Sequence, residues 1–249
     1  MFFKRVLFLG VASSLLLTSC AAITKILPDK KAMSVLSGRE AVDGQVLAVK
    51  IDDTNMAHPQ IGLEDADVVY IEQVEGGLTR LAAVFSSTIP VRIGPVRSAR
   101  ISDIDILSQY GRVAFAYSGA QRKLLPVIAA ANLEDLGAQH ESSKIFTTDP
   151  NRIAPYAMVL RADLLVQKIV DEKLQVDSAK SVGFVFGDNP EDGIPTQKVI
   201  INWPAATYSA EWSEKESRWL LSHNGRLNLA DSGVVLGPTT LVIQMVKIS

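Results

Sequence analysis

Two apolar runs joined by a pair of glycines constrain the fold of this chain more than any other feature. Residues 66–74 (ADVVYIEQV) and 79–87 (TRLAAVFSS) are rich in β-branched and other apolar residues, which predicts two strands. The intervening Glu75-Gly76-Gly77-Leu78 suits a tight turn, because glycine tolerates the positive φ that such turns require. Since both runs are almost continuously apolar, the hairpin is expected to be covered on two faces.

Strands and helices alternate in the segment around and after this hairpin. The predicted strands are 45–52 and 112–117, and the predicted helices are 98–110, 119–131 and 161–173. Pro126 should kink or split the second helix, and Asp149-Pro150 is a suitable start for a further one.

The last quarter of the chain is predicted to contain strands alone. Residues 187–195 hold two prolines, two glycines and three acids, which marks an internal boundary. Short strands are predicted beyond it at 198–202, 207–212, 218–222 and 240–247. The fold class is therefore α+β. A mixed α/β main domain with a mainly antiparallel sheet spans 45–186, a linker 187–197, and a small all-β domain 198–249.

The first 20 residues have the layout of a secretory signal. A basic start and an apolar core too short to span a bilayer precede Leu17-Thr18-Ser19-Cys20. Small residues before a cysteine resemble the lipobox of bacterial lipoproteins, whose cysteine carries fatty acyl chains such as palmitate. We expect a signal peptide at 1–19, lipidation of Cys20 and a tether at 20–44; the alternative is a buried free thiol.

Charge and composition exclude several classes of function. Cleavage before Cys20 would remove Lys4 and Arg5 and no acid, which moves the formal charge from −2 to −4. A mildly acidic chain argues against nucleic-acid binding and leaves membrane attachment to the lipid. A hydrophobic content of 47% indicates a packed core.

The densest polar motif, IGPVRSAR at residues 93–100, precedes a predicted helix with Ser98 as its N-cap. Two arginines at the positive end of a helix dipole are in electrostatic conflict, which a bound anion would relieve. The candidates for anion binding are Arg80, Arg97, Ser98 and Arg100. The alternative is a structural network in which the arginines pair with Glu72 and Glu75.

Acidic side chains suggest a second class of function. Glu72, Glu75 and Asp103 could act as general acid or base. A serine nucleophile at Ser118 is disfavoured, because alanines stand where a nucleophile elbow requires glycines.

No metal site and no cofactor are predicted. The acids between residues 52 and 67 do not match the spacing of an EF-hand loop. The histidines lack zinc-like spacing and are expected on the surface. They are His58, His140 and His223.

Five short motifs resemble the YerB-like bacterial lipoproteins, a family characterised by a domain of unknown function. They are AVKIDD at 48–53, HPQIGL at 58–63, ADVVY at 66–70, VEGGLTR at 74–80 and IGPVRSAR at 93–100. The resemblance covers roughly residues 36–249 and implies an extracytoplasmic, membrane-anchored protein. It implies no reaction, because the family has no agreed one.

Two departures from the family pattern stand out. The family usually has His-Asn after an Arg-x-Ala-Pro motif, whereas Tyr156-Ala157 follow Arg152-Ile153-Ala154-Pro155 here. Relatives also continue with further β structure past the strand at 241–246, so a shortened last sheet with an edge open to a partner strand is expected.

These observations favour a non-enzymatic binding or assembly module on the outer face of the cell membrane. Its expected partners are the membrane, through the lipid on Cys20, and an envelope polymer or a membrane protein. The alternative is a cell-envelope hydrolase or transferase that uses Glu72, Glu75 or Asp103.

Overall fold

Alternation of side chains along the first predicted strand organises the core. The computed structural model describes residues 31–187 and 192–246. Strand β1, Leu47–Asp52, is buried along its whole length. Leu47, Val49 and Ile51 join one hydrophobic cluster and Ala48 joins a second, so the sheet has a core on each face.

Strand β1 lies at the centre of a five-stranded sheet. The other strands of this sheet are β2 (Val68–Gln73), β3 (Thr79–Phe85), β5 (Val113–Ala116) and β6 (Leu133–Asp135). Their order is β2-β3-β1-β5-β6. The β2–β3 and β3–β1 pairs are antiparallel, as the predicted hairpin requires, whereas β1–β5 and β5–β6 are parallel.

Two smaller antiparallel sheets complete the described β structure. A three-stranded sheet, in the order β4-β8-β7, contains β4 (Arg92–Ile93), β7 (Phe146–Thr148) and β8 (Met158–Arg161). A four-stranded sheet, in the order β12-β11-β10-β9, contains β9 (Lys198–Trp203), β10 (Ala206–Ser213), β11 (Arg218–His223) and β12 (Arg226–Leu227). The predicted α+β class and the strand-only C-terminal segment are confirmed.

The helices are shorter than predicted. They are α1 (Ile101–Ser108), α2 (Leu125–Ala130) and α3 (Ala162–Asp171). Arg100, not Ser98, is the N-cap of α1. Pro126 lies in the first turn of α2 and does not kink it, because a first-turn proline has no intrahelical hydrogen bond to lose.

Two predicted elements are wrong. No helix starts at Asp149, whose carboxylate accepts a hydrogen bond from the amide of Asn151 and closes a turn ahead of β8. Residues 240–246, the described part of the last predicted strand, form no strand. The backbone carbonyls of Leu236 and Pro238, which precede this segment, accept hydrogen bonds from the amides of β11.

Ala32–Ser249 forms one compact unit, and the proposed division at 187–197 stays a prediction. The signal sequence and Cys20 lie outside the described residues. Among the helices that the structure describes, none is long and apolar enough to cross a membrane.

Candidate functional site

One end of the five-stranded sheet carries charged side chains where apolar ones would be expected. Strand register places Arg80 of β3 between Glu72 of β2 and Asp52 of β1. Lys50 lies two residues before Asp52 and therefore on the same face. Lys50 and Asp52 are 0% and 1% exposed, so this end of the sheet holds buried charges.

Lys50 joins two carboxylates and thereby fixes α1 to the sheet. Its Nζ lies 2.7 Å from Asp103 Oδ1 and also pairs with Glu72, which accepts a hydrogen bond from the Ser102 hydroxyl. Burial lowers the pKa of Lys50, and the adjacent Asp103 acts in the opposite direction. Two of the three acid–base candidates, Glu72 and Asp103, are thus held in ion pairs with Lys50, and Asp103 has no exposed side-chain surface.

Two of the three candidate arginines also have carboxylate partners. Arg97 Nε lies 2.8 Å from Asp52 Oδ2, and Arg100 Nε donates to Glu75 Oε2 at 2.6 Å. Partial burial acts to raise the pKa of Glu75, but hydrogen bonds, including that from Arg100, leave it below its ordinary value. Glu75 therefore lacks the raised pKa that a general acid needs at neutral pH.

Arg80 is the exception in this network. Its Nη1 donates to the backbone carbonyl of Ser98 at 2.9 Å, and it makes no ion pair with any carboxylate of the described chain. Burial, together with the nearby charges of Arg100 and Arg97, lowers the pKa of Arg80 to about 10. The structure thus brings the four anion-binding candidates together. Ser98 takes part through its backbone carbonyl, which accepts from Arg80, and does not cap α1.

A second polar cluster, which the sequence did not reveal, lies on the opposite face of the same sheet end. Asp53 follows β1 and is 1% exposed. Its Oδ2 accepts a hydrogen bond from Thr79 at 2.5 Å, and its Oδ1 accepts one from Tyr208 at 2.6 Å. Burial and the Asp53 charge raise the pKa of Tyr208 well above its ordinary value, so the phenol stays a donor.

Two histidines complete this second cluster. The rings of His58 and His223 stack with centroids 4.3 Å apart and planes at 13°. His58 Nε2 lies 3.4 Å from Asp53 Oδ1, and its Nδ1 lies 3.0 Å from Asn228 Oδ1. His223 Nε2 is buried without a hydrogen-bond partner.

The expectation that all three histidines lie on the surface is therefore wrong for two of them. His223 is 6% exposed, and the side chain of His58 is 18% exposed. Only the side chain of His140, at 54%, is as exposed as predicted. The loop between β1 and β2 brings His58 to the end of β11, a proximity that spacing along the chain cannot reveal.

A cleft of about 330 Å³ adjoins the second cluster. Asp53 and His223 line it on one side and Tyr156 on another. The Arg97 guanidinium carbon lies 6.0 Å from the centroid of the Tyr156 ring. Tyr156, where the family resemblance implies a histidine, thus lines the cleft beside the Asp53 cluster and also lies near Arg97.

Comparison with known proteins identifies the class to which this fold and these motifs belong. The family described as "Protein of unknown function (DUF3048) N-terminal domain" matches residues 35–175, more than half of the chain. The chain belongs to this family.

The relatives agree with the resemblance seen in the motifs. "Putative lipoprotein YerB" of Bacillus subtilis (strain 168) is 38% identical over 91 residues, which is 34% of this chain and 27% of that protein. The alignment thus spans about a quarter of that relative. The crystal structure of YerB protein from Bacillus subtilis matches with a TM-score of 0.72 at 19% identity, over 83% of this chain and 72% of that one. The YerB-like fold is therefore confirmed.

Proposed function

We propose that this protein is a lipid-anchored extracytoplasmic binding protein that holds an anionic group of a cell-envelope polymer. The binding group is the arginine cluster, defined as Arg80, Arg97 and Arg100. The anchor is the lipid on Cys20, for which the signal-like N-terminus and the name of the Bacillus subtilis relative are the support.

The observation that carries this proposal is that Arg80, unlike Arg97 and Arg100, makes no ion pair with a carboxylate of the described chain. Asp52 and Glu75 pair with Arg97 and Arg100, while Glu72 and Asp103 are engaged by Lys50. Arg80 therefore lies near two other cations with the Ser98 carbonyl as its hydrogen-bond partner, and Asp52 and Glu75 attract it without forming an ion pair. An incoming anion would relieve this repulsion and would meet guanidinium donors of suitable geometry.

The surroundings of the cluster fit a ligand larger than a free ion. The Arg97 side chain is 25% exposed, so it can reach a group that lies over Tyr156. Tyrosine offers an apolar face with a polar edge, which suits the ring of a sugar or another polymer unit. The anion would sit at the arginines and the adjoining unit in the cleft.

The test measures binding and stability together in Arg80→Gln. Loss of a charge-assisted hydrogen bond, about 1.5–3 kcal/mol, lowers affinity about tenfold or more. Stability should change little, because the change removes a buried cation that makes no ion pair, and the lost attraction to Asp52 and Glu75 is offset by lost repulsion from Arg97 and Arg100. The probes are inorganic phosphate and a glycerol-phosphate oligomer, followed by calorimetry, and unfolding is followed in urea.

Arg112→Gln is the matched control. Arg112 pairs with Glu134 at 3.0 Å, and its side chain is 38% exposed. Neither residue belongs to the arginine cluster or lines the cleft. Its binding should equal that of the unmodified protein. If Arg80→Gln lowers stability and neither probe binds the unmodified protein, the arginines are structural. Binding of polyglutamate in place of both phosphate probes would instead indicate an acidic protein segment as ligand.

A further inference from the structure

We propose that Asp53, His58 and His223 form a binding site for a divalent transition metal ion, with Zn²⁺ as the best-matched occupant. This metal triad is separate from the arginine cluster and goes beyond the proposed function. Two imidazoles and one carboxylate form a donor set that Zn²⁺ accepts readily.

The donor atoms already lie close together. One ligand atom from each residue of the triad can be chosen so that all lie within 4.8 Å of one another. The 3.4 Å between His58 Nε2 and Asp53 Oδ1 matches the edge of a tetrahedron with metal–ligand bonds of about 2.1 Å. The His223 ring is stacked on that of His58, so it must rotate about its side-chain bonds to direct a nitrogen lone pair at the same centre.

Two buried polar atoms in and beside the triad have no hydrogen-bond partner in the described chain. His223 Nε2 is buried and unbonded, although a buried polar atom without a partner costs about 1–3 kcal/mol. Gln60 is also fully buried, with its Oε1 unbonded and its Nε2 3.2 Å from His58 Nε2. Its Nε2 also donates to Asp53 Oδ1 at 3.4 Å, so in the metal-free protein this amide bridges two of the proposed ligands and must move aside when an ion binds.

Hydrogen bonds with neighbouring side chains orient two of the ligands. Asn228 Oδ1 accepts from His58 Nδ1, which leaves Nε2, next to Asp53, with the lone pair that a metal ion would take. Metal-bound histidines commonly donate their other N–H to such an oxygen. Asp53 is held on both oxygens by Thr79 and Tyr208, so its carboxylate is positioned before any ion arrives.

The cleft gives the ion a route to the site and an open coordination position. Asp53 and His223 both line it, so an ion bound between them would face water on that side. Three protein ligands with one open position are typical of zinc sites that exchange a bound molecule, whereas structural zinc sites are closed by four.

Titration of the metal-free, full-length protein with Zn²⁺ tests the proposal. One ion should bind per chain, and Co²⁺ in its place should give the intense visible absorption of a four-coordinate site. His223→Ala should lower Zn²⁺ affinity at least about hundredfold, because it removes a ligand. Even the loss of a residue that only hydrogen-bonds a ligand lowers metal affinity about 10–100-fold. Asn228→Ala, which keeps all three ligands, should lower it by about 10–100-fold.

His140→Ala is the matched control, because His140 also lies 3.4 Å from a carboxylate, that of Asp135, but is exposed and has no third donor. Its Zn²⁺ affinity should be unchanged. Saturating Zn²⁺ should raise Tm for the unmodified protein and for His140→Ala, and not for His223→Ala. Absence of one-to-one binding, or equal affinity in His140→Ala and His223→Ala, would overturn the proposal.

Discussion

Lys50 offers the sharpest test of how the buried charges hold this fold together. Lys50→Met keeps most of the apolar volume of the side chain and removes only the ammonium group. Glu72 and Asp103 then lose the ammonium group with which both pair. Removing one member of a buried ion pair costs about 3–5 kcal/mol, because the partner's charge stays buried and unpaired.

The assay is urea unfolding with thermal unfolding beside it. For a domain of this size, a loss of about 3–5 kcal/mol lowers Tm by roughly 6–20 °C. Lys198→Met is the matched control, since Lys198 pairs with Glu211 at 2.6 Å but both side chains are more than half exposed. Exposed pairs contribute only about 0–1 kcal/mol, so this variant should be nearly as stable as the unmodified protein.

The pH dependence of the deficit separates charge from packing. In Lys50→Met, two carboxylates stay in the interior without the ammonium that pairs with both, which favours proton uptake by the folded state. The folded state then binds more protons than the unfolded state, so the deficit shrinks as pH falls from 7 towards 5. A deficit that is the same at both pH values, or one no larger than in Lys198→Met, would refute the reasoning.

Three further outcomes are expected. Cys20→Ala should abolish incorporation of a labelled fatty acid, and labelling of the variant would contradict the lipidation of Cys20. Gly62→Ala should cost at least about 1–2 kcal/mol in urea unfolding, because Gly62 has φ +72° and a Cβ would meet a backbone carbonyl; Gly76→Ala, at φ +71° in open space, should cost less. Burial acts to raise the pKa of Asp67, but hydrogen bonds from Ser87 and other groups outweigh it, so the pKa lies below its ordinary value. The ionised carboxylate therefore stabilises the fold at pH values above its unfolded pKa. Asp67→Asn should therefore be less stable at neutral pH, with a gap that closes as pH falls below about 4; a constant gap would exclude the charge as its cause.

Local patterns along the chain predicted most elements of the sheet and the arginine cluster. The hairpin was recognisable because its apolar runs and its glycines are contiguous. Arg97 and Arg100 were recognisable because two cations next to a helix start conflict with the helix dipole. Arg80 followed from the turn that precedes it.

The metal triad could not be predicted in this way. Asp53, His58 and His223 come from the end of β1, a loop and the end of β11, and each has ordinary neighbours in sequence. One signal was present, since a histidine at the end of an apolar strand is well placed for burial. Nothing in the spacing indicated which other residues it would meet.

The sequence by itself determined where strands form, which loops carry charge and where an anchor would be attached. It did so because hydrophobic periodicity, turn glycines and a signal-like N-terminus depend on neighbours along the chain. Tertiary structure alone decided that Lys50 takes two carboxylates, that Arg80 is left with a carbonyl, and that two distant histidines stack beside Asp53. Those pairings depend on strand register and on the packing of one sheet against another. The alternation of side chains along a strand, which the sequence does show, specifies only the face of the sheet on which a side chain lies.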